Sequence, residues 1–472
     1  MEPMAGLDAK FLYSETSTVH MHTLKVAVID LNDIGDGLSY DVLLTVLERQ
    51  LDSLPPFRRR LVTVPLGLGH PVWVEDPDFR LSCHVTRRTV SAPGGLRELA
   101  DVVADVARTP LPRDRPLWSL VVVEGLADHR MAVVAKVHHA VADGAATVAL
   151  LENVFRPDRG EVTAVPWRPE PLPDRRALLA FAAREHLRRW RGLPRLAVRS
   201  VSGLRRAQRR RRQLAVRPPL PYEAPRTSFN VSVGAARTFA MTSLPLDALR
   251  RLRKIHGATL NDVFLAVCGG ALRDYLYQRD ELPNRPLVAA VPVSTDPTAV
   301  RLGGNRVDNL FVTLGTDIAD PAVRLAHIHR VAVSAKDIRA VFGSDLLEER
   351  AAVVPPQLYA ATVRAWAHSH LSNITPPPLN VVISSVPGPR RPLRFGPAVI
   401  DAIYSVGPIL EGIGLNLTAW SYGDALYVAV LGSPASVPDP WLIADALAPA
   451  LAELVASPPL AAVPAPAGSA AG

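Results

Sequence analysis

His138-His139-Ala140-Val141-Ala142-Asp143-Gly144 lies between two strongly patterned segments. Met131 to Val137, before it, is an apolar, β-branched run that reads as a strand; Ala145 to Phe155, after it, reads as a helix. A strand end opening into a loop holds a side chain at a cleft on rigid support. Imidazole near its ordinary pKa takes a proton from a hydroxyl at neutral pH, which is the requirement of general-base catalysis. The acid at Asp143 can fix the ring or the loop, and Gly144 permits a tight turn or a positive φ. A structural reading of the same residues puts one histidine in the core and uses Asp143 to cap the next helix. His138 and Asp143 take that reading even with His139 catalytic. Adjacent histidines project to different sides, and no HExxH or Cys/His ligand spacing occurs elsewhere, so no metal site is expected.

Working outward, Leu120 to Val123 and Met131 to Val137 are a hairpin candidate, separated by the polar turn Ala127-Asp128-His129-Arg130. Upstream, Thr23 to Ile29 reads as a strand, and Tyr40 to Leu51 and Leu96 to Val106 read as amphipathic helices. Proline-rich flanks then enclose an arginine-rich helical stretch, Ala177 to Gln213, which Gly192 and Pro194 should interrupt. The alternation resumes near Ser228 with a strand over Val231 to Met241 and helices over Leu246 to His256 and Leu260 to Tyr277. Strands follow at Leu287 to Val293, Val307 to Leu314 and Asn380 to Ser384. A hairpin from Leu415 to Leu431 turns at Tyr422-Gly423-Asp424, and a helix over Pro440 to Val455 closes the fold. The expected division is a domain at 1–160, a linker at 161–226, a second domain at 227–456 and a disordered tail at 457–472. Two such halves imply α/β or α+β layers.

With 48% hydrophobic and 21% charged residues and a mean hydropathy of +0.13, the 472-residue chain has a globular composition. No run approaches the roughly 18 apolar residues of a membrane span, and the N-terminus lacks the basic and apolar regions of a signal peptide. Two cysteines make no disulfide framework, and Cys268 reads as a buried small hydrophobe. A cytosolic protein is expected. The net charge of +8 is concentrated in one place. Arg175 to Arg212 holds fourteen arginines and one acid, Glu185, so the rest of the chain is −5. Such a helix suits an anionic membrane or lipid-droplet surface, with Leu178, Leu179, Phe181, Leu187 and Trp190 as its apolar face. The alternative is a solvated charge run wrapping the two halves. No nucleic-acid-binding module accompanies it, so nucleic acid is not an expected partner.

HHAVADG resembles the HHxxxDG motif of the coenzyme A-dependent acyltransferase superfamily, which includes chloramphenicol acetyltransferases and peptide-synthetase condensation domains. Further segments resemble one branch of it, the bacterial wax ester synthase/acyl-CoA:diacylglycerol acyltransferases. These are Asp8 to Met21, Phe57 to Asp76, Pro116-Leu117-Trp118, Asn261-Asp262-Val263, Gly304-Asn305-Arg306-Val307, Asn380 to Pro389 and Val437 to Trp441. The resemblance runs from about Met4 to Leu454.

It implies two chloramphenicol-acetyltransferase-like domains with an active-site tunnel between them, open to acyl-CoA on one side and to the alcohol on the other. It also implies transfer of a long-chain acyl group from acyl-CoA to diacylglycerol or a long-chain alcohol, with His139 as general base. His138 and Asp143 would support the loop, Asp143 through an internal ion pair, and Gly144 would make its turn. Acyl-CoA would be a co-substrate, with no bound cofactor. Asn261 is the candidate donor to the thioester oxyanion, although Thr259-Leu260-Asn261-Asp262 also fits a capping box with Asp262 structural. Ser384, Ser385, Pro387 and Gly388 lie in a segment expected to contact substrate or the other half, with Ser385 where the family usually has asparagine. The protein would work peripherally at the inner membrane or a lipid droplet. Two alternatives stand beside this one: an acyltransferase that takes its acyl group from a carrier protein, and a non-catalytic lipid-droplet protein.

Overall fold

A computed structural model of the chain describes residues 1–458 apart from 33–38, 52–53, 156–168, 170, 297–300, 343–354, 390 and 396–397. Most of the tail expected to be disordered, and the start of the expected linker, lie outside these residues.

Two six-stranded mixed sheets carry the fold. The first is founded on β1 (His22–Asp30), β2 (Val85–Thr89), β3 (Trp118–Leu126) and β4 (Arg130–His138). Next, β5 (Thr238–Pro245), β6 (Val288–Ser294), β7 (Val307–Thr313) and β8 (Val381–Pro387) build most of the second. The chain then returns to the first sheet with β9 (Arg394–Phe395) and β10 (Ala398–Val406), before β11 (Leu415–Tyr422) and β12 (Ala425–Gly432) complete the second. The strand orders are β9-β10-β1-β4-β3-β2 and β7-β6-β8-β11-β12-β5. Both expected hairpins are present, β3–β4 and β11–β12, each antiparallel.

The central strand β1 is buried at all but two of its nine positions, as a strand covered on both faces must be. On its free edge, β10 pairs antiparallel, Val399 opposite Asp30 through to Val406 opposite Leu24. A boundary near 227 therefore divides the chain but not the sheets, because β9 and β10 complete the first one. The sheets also share a core: Val26, Val121 and Val134 of the first pack in one cluster with Phe239, Met241 and Ala429 of the second.

Helices cover the outer faces. They are α1 (Gly6–Tyr13), α2 (Tyr40–Gln50), α3 (Leu96–Arg108), α4 (Gly144–Val154), α5 (Arg175–Gln213), α6 (Leu246–Ile255), α7 (Leu260–Tyr277), α8 (Pro321–Phe342), α9 (Pro356–His368) and α10 (Trp441–Ala456). Buried continuously from Asp262 to Leu272, α7 is a core helix. Among the described residues no single helix is long and apolar enough to cross a membrane; α6 and α7 pass such a test only as a pair bent by 107°.

Two expectations about local structure fail. The strand expected over Val231 to Met241 begins only at Thr238, because the carbonyls of Gly234, Ala235 and Ala236 are taken by the Arg237 guanidinium instead of by a ladder. The second failure is α5, which runs unbroken through Gly192 and Pro194 for 39 residues, about 58 Å. Its ends are anchored. Leu178 is buried against Val72 and Val74, and Arg210 pairs with Asp337 of α8 at 2.7 Å, so tertiary contacts override two poor helix formers.

Candidate active site

The two motif histidines do project to different sides. His138 is the last residue of β4 and is fully buried. Its backbone N–H donates to Leu117 O at 2.9 Å, which gives Pro116-Leu117-Trp118 its part in fixing the strand end. On the ring, Nδ1 accepts from Ala140 N–H at 3.0 Å. The proton therefore sits on Nε2, which donates to Glu15 Oε1 at 3.1 Å. Glu15 also pairs with Arg113. Burial alone would raise its carboxyl, but the His138 hydrogen bond and the neighbouring charges outweigh it and hold the pKa low. Burial lowers the His138 pKa, against the pull of Glu15. His138 is thus a neutral strut that ties the motif loop to the segment after α1.

His139 occupies the turn beyond the strand and keeps part of its surface exposed. Its N–H donates to Met21 O at 2.7 Å, and its ring stacks on Phe11 with centroids 4.0 Å apart and planes within 6°. Asn305 determines its tautomer. The Asn305 amide nitrogen donates to His139 O at 2.7 Å and to Asp8 Oδ1 at 2.8 Å. Both amide protons are then used, so Asn305 Oδ1, 2.9 Å from His139 Nδ1, must accept. His139 therefore carries its proton on Nδ1. Nε2, without a hydrogen-bond partner among the described residues, is left as a free lone pair. Burial pushes the imidazole down to about 4, so the ring is neutral at physiological pH. Burial likewise raises the Asp8 carboxyl to about 7, opposed by its bonds from Asn305.

Asp143 organises the loop. Oδ1 caps α4 by accepting from Ala146 N–H at 3.0 Å; Oδ2 accepts from Arg306 N–H at 2.9 Å and pairs with the Arg301 guanidinium. Gly304 N–H donates to Val141 O at 2.8 Å, and Asp143 N–H to Gly304 O at 3.3 Å, so the 301–306 segment is stitched alongside the motif. That stitching delivers Asn305 to His139. The turn expected at Gly144 is not there. Residues 139–141 make it, and Gly144 opens α4 without a positive φ. Glycine instead allows a close approach: a Cβ would stand 3.0 Å from Val386 Cγ2 of β8, so the valine would have to shift by a few tenths of an ångström.

Among the described residues, the remaining expected ones make no hydrogen bond to His139. Asn261 is the second residue of α7, half-buried, and among the described residues it makes no hydrogen bond to His139 or the motif loop. Thr259 and Asp262 form the expected capping box, and His329 Nδ1 lies 2.7 Å from Asp262 Oδ2. Ser384 and Ser385 are half-buried in β8 opposite Thr418 and Ala419, pointing to alternate faces, and Pro387 is exposed. Gly388 sits against β11, where its N–H donates to Ser421 Oγ at 3.1 Å and a Cβ would lie 2.5 Å from Trp420 Nε1. Gly388→Ala is expected to cost about 1–3 kcal/mol by overpacking, read as a lowered urea midpoint at unchanged slope.

Sequence reasoning missed Glu15, Asp8 and Arg301, and it quoted Asn305 without a role. No local pattern marks an arginine more than 150 positions from its aspartate, whereas Asp8, Glu15 and Asn305 do lie in segments already singled out. A cavity of about 330 Å³ is linked to the loop through Met21, although no motif residue lines it. Its lining includes Met21, whose carbonyl holds His139, and also Ser14, Tyr359, Trp366, Leu410 and Ile413. Among the described residues no cluster of three or more metal-ligating side chains occurs.

A neutral histidine with a fixed tautomer and an open Nε2 can accept a proton from a hydroxyl. Known proteins with matching sequence point the same way. The wax ester synthase/diacylglycerol acyltransferase catalytic domain matches residues 4–264, and the C-terminal domain of the same family matches residues 303–455. A Mycobacterium tuberculosis H37Rv protein provisionally named a diacylglycerol O-acyltransferase is 41% identical over 444 residues, 93% of each chain. A second from the same strain, with the same provisional name, is 36% identical over 96% of this chain and 90% of its own. Among solved structures, the wax ester synthase/diacylglycerol acyltransferase of Marinobacter aquaeolei VT8 superposes with a TM-score of 0.67 at 27% identity, over 96% of this chain and 98% of its own. The first condensation domain of the CDA synthetase shares the fold, with a TM-score of 0.58 at 18% identity over 97% and 96% of the two chains. The chain belongs to the wax ester synthase/diacylglycerol acyltransferase family and is an acyltransferase of that family.

Proposed function

We propose that the protein transfers a long-chain acyl group from acyl-CoA to the hydroxyl of diacylglycerol or a long-chain alcohol by direct attack, with His139 as general base. One observation carries the mechanism: Asn305, its amide protons spent on Asp8 and His139 O, holds the His139 proton on Nδ1 and leaves Nε2 as the base. Nε2 takes the acceptor's proton as the oxygen attacks the thioester carbonyl carbon. The tetrahedral intermediate collapses, the C–S bond breaks, and the imidazolium returns its proton to the departing thiolate, giving ester and free coenzyme A. The apolar cavity beside Met21 suits a hydrocarbon chain. Asn261, at the start of α7, is the proposed donor to the thioester oxyanion. Both acceptors are insoluble, so the reading places the enzyme on the cytosolic side of a membrane or droplet surface.

Purified protein given radiolabelled palmitoyl-CoA with dioleoylglycerol or hexadecanol should form labelled triacylglycerol or wax ester. Formation of either product only from palmitoyl carried on an acyl-carrier protein would move the donor to the carrier-protein class, and formation of neither would refute the reading.

Asn305→Ala removes the acceptor that sets the tautomer. We expect kcat to fall about 10- to 100-fold with little change in KM, because the group acts on the base and not on binding. The base must be neutral, and its pKa is depressed to about 4, so its active fraction is lost only as pH falls through that region. The His139 imidazole should therefore add no inflection to wild-type kcat/KM near its ordinary value of about 6.5, and any change between pH ~8 and about 6 should disappear in Asp8→Asn, because Asp8, at about 7, is the site group that titrates there.

A further inference from the structure

The exposed side of α5 separates into two stripes. Leu187, Trp190, Pro194, Val198 and Val201 recur in steps of three and four residues, so they share one face, with Leu193 and Leu204 along its edge. All are exposed, Trp190 by 71%, Val198 by 70% and Leu187 by 55%. Arg184, Arg188, Arg191 and Arg195 follow the same spacing on the adjoining, equally exposed strip. The third side, Leu178, Ala182, Leu196 and Ala207, is buried against the protein. This corrects the face expected from sequence. Leu178 is buried and Phe181 packs against its cluster, so neither is available to a partner.

We propose that this stripe is an interfacial anchor, and that α5 lies along an anionic lipid bilayer with Trp190, Val198 and Val201 inserted and the arginine strip against the headgroups. An apolar stripe this long is costly to leave in water, and arginine beside it lets apolar stems insert while guanidinium groups meet phosphate. Charge fixes the orientation. The helix holds fourteen arginines against one acid while the rest of the chain is −5, so an anionic surface attracts α5 and repels the remainder. A nucleic acid would use the arginine strip and leave the valines and tryptophan idle.

The test uses the full chain and reads no acyl transfer, so it stands or falls apart from the enzymatic reading. Flotation is measured with vesicles of equal parts phosphatidylglycerol and phosphatidylcholine, and with phosphatidylcholine alone. The wild type should float with the anionic vesicles and not with the neutral ones. Trp190→Ser/Val198→Ser/Val201→Ser should weaken that binding at least roughly 10-fold, and Arg188→Gln/Arg191→Gln/Arg195→Gln on the order of 100-fold. Because these side chains are exposed, unfolding midpoints should match wild type. Failure of the wild type to float with anionic vesicles overturns the proposal. So does a serine variant that floats as the wild type does while dissociating a dimer in sedimentation velocity, which would make the stripe an interface between copies. Wild-type protein that binds an RNA oligomer but floats with neither kind of vesicle overturns it too, and would make the arginine strip a nucleic-acid surface.

Discussion

His139→Ala is expected to lower the rate of acyl transfer by roughly 10²- to 10⁴-fold while the protein stays folded, the loss typical of removing a positioned general base. The two halves of that expectation have separate causes. Nε2 has no hydrogen-bond partner among the described residues, so its removal breaks nothing structural. On the other side of the ring, the variant loses only the Asn305 contact and the Phe11 stack. Asn305 keeps its bonds to Asp8 and to the backbone carbonyl of residue 139. Initial rates with palmitoyl-CoA and hexadecanol, taken beside a thermal melt, read both. A variant that melts like the wild type and keeps more than about a tenth of its rate would remove His139 from the chemistry.

Asp143→Ala is expected to act in the opposite manner, through stability. Its carboxylate caps α4, accepts from Arg306 N–H and neutralises Arg301, whose side chain is only 16% exposed. Losing the cap costs about 1 kcal/mol, and leaving a largely buried guanidinium without its partner raises the total to about 3–5 kcal/mol. The loop at 301–306 should loosen as well, releasing Asn305, so activity falls even in the fraction that remains folded. Asp143→Asn keeps an oxygen for the cap and should recover about 1 kcal/mol of the loss. Urea unfolding of the two variants measures the difference; equal midpoints for wild type and Asp143→Ala would refute the role.

What the sequence disclosed follows from the range of each interaction. The strand before the motif, the helix after it and the hairpin turn at Asp128 are set by neighbours within a few residues, so periodicity finds them. The role of Asp143 was readable twice over, as an N-cap by position and as an ion-pair member by resemblance, but Arg301 was not, being 158 residues away. Asn305 illustrates the limit best. Its segment was noticed, yet only the backbone bridge between Val141 and Gly304 brings its amide to His139. Likewise β10 belongs to the first sheet because β1 offers it an apolar edge, and no local pattern in residues 398–406 names that partner. In α5 the sequence marked an amphipathic arginine helix and placed Leu187 and Trp190 on its exposed apolar face, but it also put Leu178 and Phe181 there, which Val72 and Val74 claim from another part of the chain.

The most direct measurement is a single-turnover experiment with labelled palmitoyl-CoA and excess enzyme, with and without hexadecanol. Direct attack with His139 as base predicts that coenzyme A is released only when the alcohol is present. Labelled wax ester should then match it mole for mole, and no label should remain on the denatured protein. Release of coenzyme A without alcohol, with label retained on the protein, would mean an acyl-enzyme and would contradict the account; so would equal single-turnover rates for the wild type and His139→Ala.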